Sequence, residues 1–328
     1  MTRIMLPLLA IVAGLLATSL GLGDVPISPS DLISVLMRPS DFSPATAMVL
    51  FELRLPRALL AFLVGSALAV AGTIAQAVMR NPLAEPGILG INAGAALAAT
   101  LVIVMLPAAP NALLPWAGFA GASAMTAAIY LLARRGGTSS LRIILIGIGL
   151  SSLGGAATTL LTTFGEIRDV QRALIWLAGS VYDADWPKLG TLLVWLAGPV
   201  ALTWLCAGEL DLIRFGDHAA RALGQRVELT RAAMVLLCTL ISGAAVAAAG
   251  LIGFVGLIAP HLARSLVGPL HARLIPVAAL IGSALVMAAD LLGRVAIAPV
   301  QLPAGLVTAL IGAPFLGYLL WGRRNVPA

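Results

Sequence analysis

Uncharged apolar runs alternate with short polar intervals along the whole chain, and the lengths of those runs predict ten helices. From Leu59 to Met79 there are 21 residues without an ionisable group. At about 1.5 Å per residue such a run spans roughly 30 Å, the thickness of a bilayer's hydrocarbon core. Comparable runs cover Ile4 to Leu22, Ile88 to Leu106, Leu113 to Ala133, Ile143 to Phe164, Leu189 to Ala207, Ala232 to Leu251, Leu274 to Leu292 and Pro303 to Trp321, with a shorter one from Phe254 to Leu266. The first is as long as a full crossing and lacks a small-x-small cleavage site before Asp24, so it reads as a helix and not as a signal core. Between the runs, Gly23 to Leu53 is rich in Pro, Ser and Asp and predicts a loop with a short helix begun by Ser30 or Asp31. Gly165 to Lys188 predicts a second outer segment holding an amphipathic piece, Val170 to Ala178.

Composition agrees with an all-α integral membrane protein. The chain is 60% hydrophobic and 10% charged, with a mean hydropathy of +1.03, where a soluble domain carries about 25% charged residues. The pI of about 10.3 does not indicate nucleic acid, because the excess of basic residues is spread in ones and twos between apolar runs. With the amino terminus inside and ten crossings, 13 of the 20 Lys and Arg fall on the inner side, while eight of the 14 acids fall on the outer side. That bias is the positive-inside pattern, and it places both termini inside. Cys206 and Cys238 lie in apolar runs and read as small buried hydrophobes. Three histidines without a Cys/His cluster argue against a metal site.

Several local motifs stand out against this background. Arg54-Leu55-Pro56-Arg57 precedes the second run, with Pro56 suited to a first helical turn and the two arginines three apart on one face. Asn81-Pro82-Leu83-Ala84-Glu85-Pro86-Gly87 stops that run by proline chemistry. A second break, Gly250 to Pro260, sits at a comparable place in the other half, a faint internal repeat of the kind importers use. Gly90 and Gly94 make a small-xxx-small pair, suited to close helix approach. Asp290 is the acid inside an apolar run, a costly placement unless paired, and Arg294 four residues on offers a partner. Gly216 to Gly224 reads as an isolated two-turn helix, with Asp217 as N-cap, Gly224 just past its end, and Ala219, Ala222 and Leu223 on one face. No G-x-x-x-x-G-K-[ST] occurs, so ATP phosphates are not cradled by this chain.

Arg54-Leu55-Pro56-Arg57, Asn81 to Gly87 with Leu89-Gly90, Gly253-Phe254-Val255-Gly256-Leu257 with Pro260-His261, and Ala289-Asp290 occur in an order and spacing that resemble the FecCD-type permeases of importers for iron-siderophores, haem and cobalamin. The resemblance covers nearly the whole chain. It implies a BtuC-like type II importer fold in a single transmembrane domain over residues 1–328, with the coupling loop at 208–231. It also implies a second permease chain, identical or related, two ATPase subunits that bind ATP and Mg, and a periplasmic binding protein, in the bacterial inner membrane. Arg54, Arg57 and Arg294 match the positions that dock acidic residues of the binding protein. Asp217, His218, Ala219, Ala220, Arg221, Ala222, Leu223 and Gly224 match the helix that sits in a groove of the ATPase. Asn81, Leu83, Ser140 and Ile144 match positions that narrow the inner exit. His261 is expected to face the inner interface and not to bind iron.

The expected function is therefore permeation of a ferric siderophore, with the segments Trp176 to Ser180 and Asp185-Trp186 most like the ferric-citrate branch. No catalytic residue, bound cofactor or metal is expected in this chain, and no nucleic acid among its partners. Cobalamin and haem are the alternative cargoes. An ion-coupled secondary transporter would need intramembrane carboxylates beyond Asp290, and a membrane-embedded enzyme would need a catalytic grouping that the sequence does not present.

Overall fold

A computed structural model describes residues 1–23, 27, 28, 34, 43–134 and 138–323. The expected helix start at Ser30 or Asp31, part of the basic loop after Arg134, and Arg324 lie outside the described residues. Among those described the protein is helical. Its elements are α1 (Thr2–Gly21), α2 (Pro44–Val78), α3 (Ile91–Met105), α4 (Leu113–Ala133), α5 (Ser140–Phe164), α6 (Ile167–Leu177), α7 (Trp186–Leu205), α8 (Ala207–Ile213), α9 (Asp217–Ala222), α10 (Val227–Ala249), α11 (Val255–Val267), α12 (His271–Val295) and α13 (Ala304–Arg323). Eight are long and apolar enough to cross a membrane, and the shorter apolar α3 and α11 complete the expected ten.

The centre is set by three of these helices. The apolar windows of α2, α10 and α12 are 78%, 72% and 67% buried, against 17% to 28% for α1, α4, α5, α7 and α13, which leaves the latter group to face lipid or a partner chain. Small residues let the central helices meet. A Cβ on Gly72 of α2 would stand 2.5 Å from the Gly256 Cα of α11, and one on Gly65 would stand 2.6 Å from the Gly282 carbonyl carbon of α12. Ser66 and Ser283 hydroxyls pair across the α2–α12 seam at 3.0 Å, and Ser283 Oγ also donates to the Phe62 carbonyl at 2.9 Å. Backbone contact through glycine and serine is how apolar helices associate where lipid is as apolar as leucine. Gly94 makes the same kind of approach to Gly121 of α4, whereas Gly90, at φ +79°, is needed for its left-handed backbone just before α3.

Gly72→Ala is accordingly expected to cost about 1–3 kcal/mol by overpacking, read as a lower unfolding midpoint in detergent. Gly149→Ala, on α5 with nothing within 4 Å of its added methyl, should leave the midpoint unchanged or raise it, since Ala outranks Gly in a helix by about 1 kcal/mol.

Most boundaries fall within about three residues of expectation, and two differ by more. The second crossing starts at Pro44, ten residues before the Arg54-Leu55-Pro56-Arg57 motif, with Ser43 Oγ capping Thr46 N–H at 3.2 Å. A π-helical stretch, Val49–Arg54, joins it to Leu55–Val78. Pro56 has no N–H to give and would break regular i to i−4 bonding, so the wider π turn just ahead of it carries the helix through. The motif thus marks a bulge inside a helix and not its mouth. Likewise α10 begins at Val227 and not at Ala232, which places Arg231 within the helix and 0% exposed.

Candidate functional site

The stretch Leu55–Val78, the part of α2 that follows the π turn, carries a polar cluster at each of its two ends. At the Arg57 end, Arg57 Nη2 lies 2.8 Å from Asp290 Oδ1 and its Nε lies 3.0 Å from both carboxylate oxygens. Its Nη1 donates to Gln301 Oε1 at 2.9 Å, and the guanidinium sits 5.3 Å from the Tyr182 ring centre. Arg294 Nε stands 3.7 Å from Asp290 Oδ2, while its Nη2 donates to the Ser19 carbonyl at 3.0 Å. The expected i,i+4 pair of Asp290 with Arg294 is thus present, and the closer partner is Arg57, 233 residues away. A carboxylate on α12 points across the seam toward α2, where a forked guanidinium can meet both its oxygens. Arg54 Nη1 donates to the Leu20 carbonyl at 2.7 Å and so ties the α1 end to α2. Arg54, Arg57 and Arg294 are 7%, 8% and 9% exposed, so each is engaged within its own chain and has little surface to offer a partner.

The second cluster lies at the other end, where α9 meets α10 and the start of α5. Arg231 Nη1 donates to both the carbonyl and the hydroxyl of Thr138 at 2.7 Å, and its Nη2 meets Asp217 Oδ1 at 2.7 Å. Glu228 accepts from Thr138 N at 3.1 Å and from its hydroxyl at 2.5 Å, and reaches Arg221 at 3.5 Å. Asp217 does not cap α9: the cap is Gly216 at φ +94°, and the Asp217 carboxylate turns to the buried arginine. The far end of α9 is as expected. Gly224, at φ +88°, closes it with Gln225 N–H to the Ala220 carbonyl and Gly224 N–H to the Arg221 carbonyl, both 2.9 Å. Ala220 is the buried residue of this short helix, while Ala219, Ala222 and Leu223 face outward, Leu223 64% exposed and joined by Phe215 at 73%.

The expected gate residues take separate roles. Asn81 lines a cavity of about 540 Å³ just past the Val78 end of α2 and accepts the Leu83 N–H at 2.9 Å, an Asx turn that shapes the loop. Ser140 is buried and donates to the Val78 carbonyl at 2.8 Å, while Ile144, one turn on, packs against the core. These two fix the start of α5 to the end of α2. His261 lines the same cavity as Asn81 and stands edge-on to Phe315.

The two broken segments also meet. Pro86, in the first break, lies where a Cβ on Gly256 would stand 2.9 Å from its ring, and Glu85 beside it faces the backbone of Phe254, the left-handed residue at the start of α11 in the second. Burial pushes the Glu85 carboxyl above its usual range, and the Phe254 backbone partly opposes the shift.

Sequence reasoning missed three members of the inner framework. Arg231 was readable from Glu228 three residues earlier on a helix, had the start of α10 been placed at Val227. Asp211 and His271 were not readable, since nothing local joins residues 60 apart. Asp211 Oδ1 accepts from His271 Nδ1 at 2.6 Å and from its backbone N–H at 3.0 Å, capping α12 from α8.

Comparison with known proteins places this arrangement. The model of the FecCD transport family matches residues 9–322. The achromobactin transport system permease protein CbrC of Dickeya dadantii is 42% identical over 324 residues, 98% of this chain and 92% of that one. The iron(3+)-hydroxamate import system permease protein FhuG of Bacillus subtilis is 39% identical over 312 residues, 92% and 91% of the two chains. A solved structure described as a metal-chelate type ABC transporter in an inward-facing conformation superposes with a TM-score of 0.88 at 31% identity, covering 98% of this chain and 100% of that one.

Proposed function

This chain belongs to the FecCD transport family, the permease subunits of ATP-driven importers, and from that premise we propose that its cargo is a ferric siderophore. It is a multi-pass membrane protein that works with an ATPase and a binding protein. The observation that carries the cargo assignment is the near full-length likeness to permeases for achromobactin and for iron(3+)-hydroxamates. The finer assembly is part of the same proposal: a single permease domain in the bacterial inner membrane, both termini in the cytoplasm, paired with an identical or related chain over two ATPases that bind ATP and magnesium.

Within that assembly α9 and Gly224 serve as the coupling element. Its outward face of Ala219, Ala222 and Leu223, with Phe215 beside it, is an apolar knob held by Asp217 and Arg231 from behind, the form that suits insertion into a groove. Asn81 and Leu83 shape the inner exit, and Ser140 and Ile144 hold the helix that frames it. The outer rim, whose helices Arg54, Arg57 and Arg294 tie together, receives the binding protein. An ion-coupled carrier is disfavoured because Asp290 is neutralised by Arg57.

The test is co-purification of the chain with its co-expressed ATPase and binding protein, followed by vanadate-sensitive ATPase assays. Stimulation by the binding protein loaded with a ferric siderophore is expected; stimulation only by cobalamin-loaded or haem-loaded protein would overturn the cargo, and uptake driven by an ion gradient would overturn the class. In the same preparation Leu223→Asp should weaken ATPase association at least about 30-fold, the scale of losing a central interface anchor, while leaving membrane insertion intact.

A further inference from the structure

The inner cavity carries a charge pattern that the permease assignment does not use. Arg80, Arg214 and Arg264 all line its roughly 540 Å³, together with Gln76, Asn81 and His261, and no Asp or Glu is among its lining residues. Among the described residues none of these three arginines is in an ion pair. Each is instead placed by an uncharged contact. Arg264 Nη2 donates to Gln76 Oε1 at 2.9 Å and Arg214 Nη1 to the Pro269 carbonyl at 2.7 Å. Arg80 has a left-handed backbone, φ +48°, unusual for a side chain of its kind, and its Nη1 lies against Gly216 at the head of α9.

Two buried arginines elsewhere in this chain are given carboxylates: Arg57 has Asp290 and Arg231 has Asp217. Three guanidiniums sharing a concave space without one repel each other, and that repulsion is relieved when an anion enters. The volume falls within the roughly 300–1,000 Å³ of small-molecule sites, and planar forked donors match carboxylate oxygens in pairs.

We propose that this cavity is an anion site for the carboxylate face of a ferric polycarboxylate chelate leaving toward the inner side, so that the permease favours anionic over neutral iron chelates. The proposal rests on the importer reading and deepens it. Because Arg80 also lies against Gly216 at the head of α9, it would stand between an occupant of the cavity and the coupling element.

Full-length permease in nanodiscs of zwitterionic lipid, titrated calorimetrically with ferric citrate, a neutral ferric trihydroxamate and inorganic phosphate, tests it. Ferric citrate should bind, its affinity should fall at least tenfold in Arg80→Gln and in Arg214→Gln, both exposed positions whose variants can be checked for intact size-exclusion profiles, and Arg80→Lys should retain part of it. Equal binding of the neutral chelate, or unchanged citrate affinity in both Gln variants, overturns the proposal. Phosphate binding as tight as citrate would mark a simple inorganic-anion site and overturn it too, as would loss of citrate binding when anionic lipid is included, which would mark a headgroup site. ATPase stimulation by siderophore-loaded binding protein without citrate binding sinks this proposal alone; citrate binding without such stimulation sinks the importer reading and leaves the anion site.

Discussion

Asp290→Ala is expected to destabilise the permease by about 3–5 kcal/mol, the cost of leaving a buried charge without its partner. The side chains of Arg57 and Asp290 are 10% and 4% exposed, so solvent cannot take over the charge that remains. Removing the acid strands two guanidiniums, Arg57 at 2.8 Å and Arg294 at 3.7 Å. Gln301 and the Tyr182 ring stay with Arg57 but supply only dipole and quadrupole contacts. Arg57→Met should cost less, because Arg294 can still approach Asp290. The double variant Arg57→Met with Asp290→Leu should recover most of the loss, since a well-packed apolar pair often equals or exceeds a buried ion pair. Thermal unfolding of the four proteins in one detergent decides the matter. A double variant as unstable as Asp290→Ala would mean that the charge has a role beyond its pairing, for instance in meeting a partner at the rim.

The pattern of what the sequence revealed follows from the reach of its signals. Apolar runs are local, and α4 begins and ends at Leu113 and Ala133 where they predict it. Proline and glycine breaks are local too, and both expected interruptions are present, although their approach at Pro86 and Gly256 joins residues in different halves of the chain. What failed depended on partners far off in sequence. Asp290 offered an arginine four residues away and that pair forms at 3.7 Å, but the closer partner, Arg57, was hidden because the α2–α12 seam brings the two helices together by glycine contacts that no periodicity encodes. Asp217 looked like a cap by residue type, yet a buried arginine competes for its carboxylate more strongly than a backbone N–H does. The start of α2 was hidden because Pro56 normally reads as a helix beginning, and a π turn is a way around that rule.

The Arg231 network should behave with the opposite asymmetry to intuition. Asp217→Ala removes a side chain that is 21% exposed but strands Arg231, which is 0% exposed, and it is expected to cost toward the lower end of the roughly 3–5 kcal/mol of a broken buried pair. Glu228, 4.0 Å from Arg231 and 44% exposed, softens the loss without replacing the partner, because its carboxylate is largely in solvent and already engaged by Thr138. Arg231→Met, which leaves the partly exposed Asp217 to be hydrated, should be milder in global stability. Both variants release α9 from α10, however, so both should speed amide hydrogen exchange over residues 217–222 by an order of magnitude or more, whereas Arg221→Gln, whose contact to Glu228 is long and exposed at 3.5 Å, should not. If α9 couples ATP hydrolysis to the permease, the Arg231→Met complex should retain ATPase association through Leu223 and Phe215 but show weakened stimulation by loaded binding protein. Normal stimulation in a variant with freely exchanging α9 would mean that the helix is a passive mount, and the coupling role would have to be sought in the Arg80 and Gly216 contact beside it.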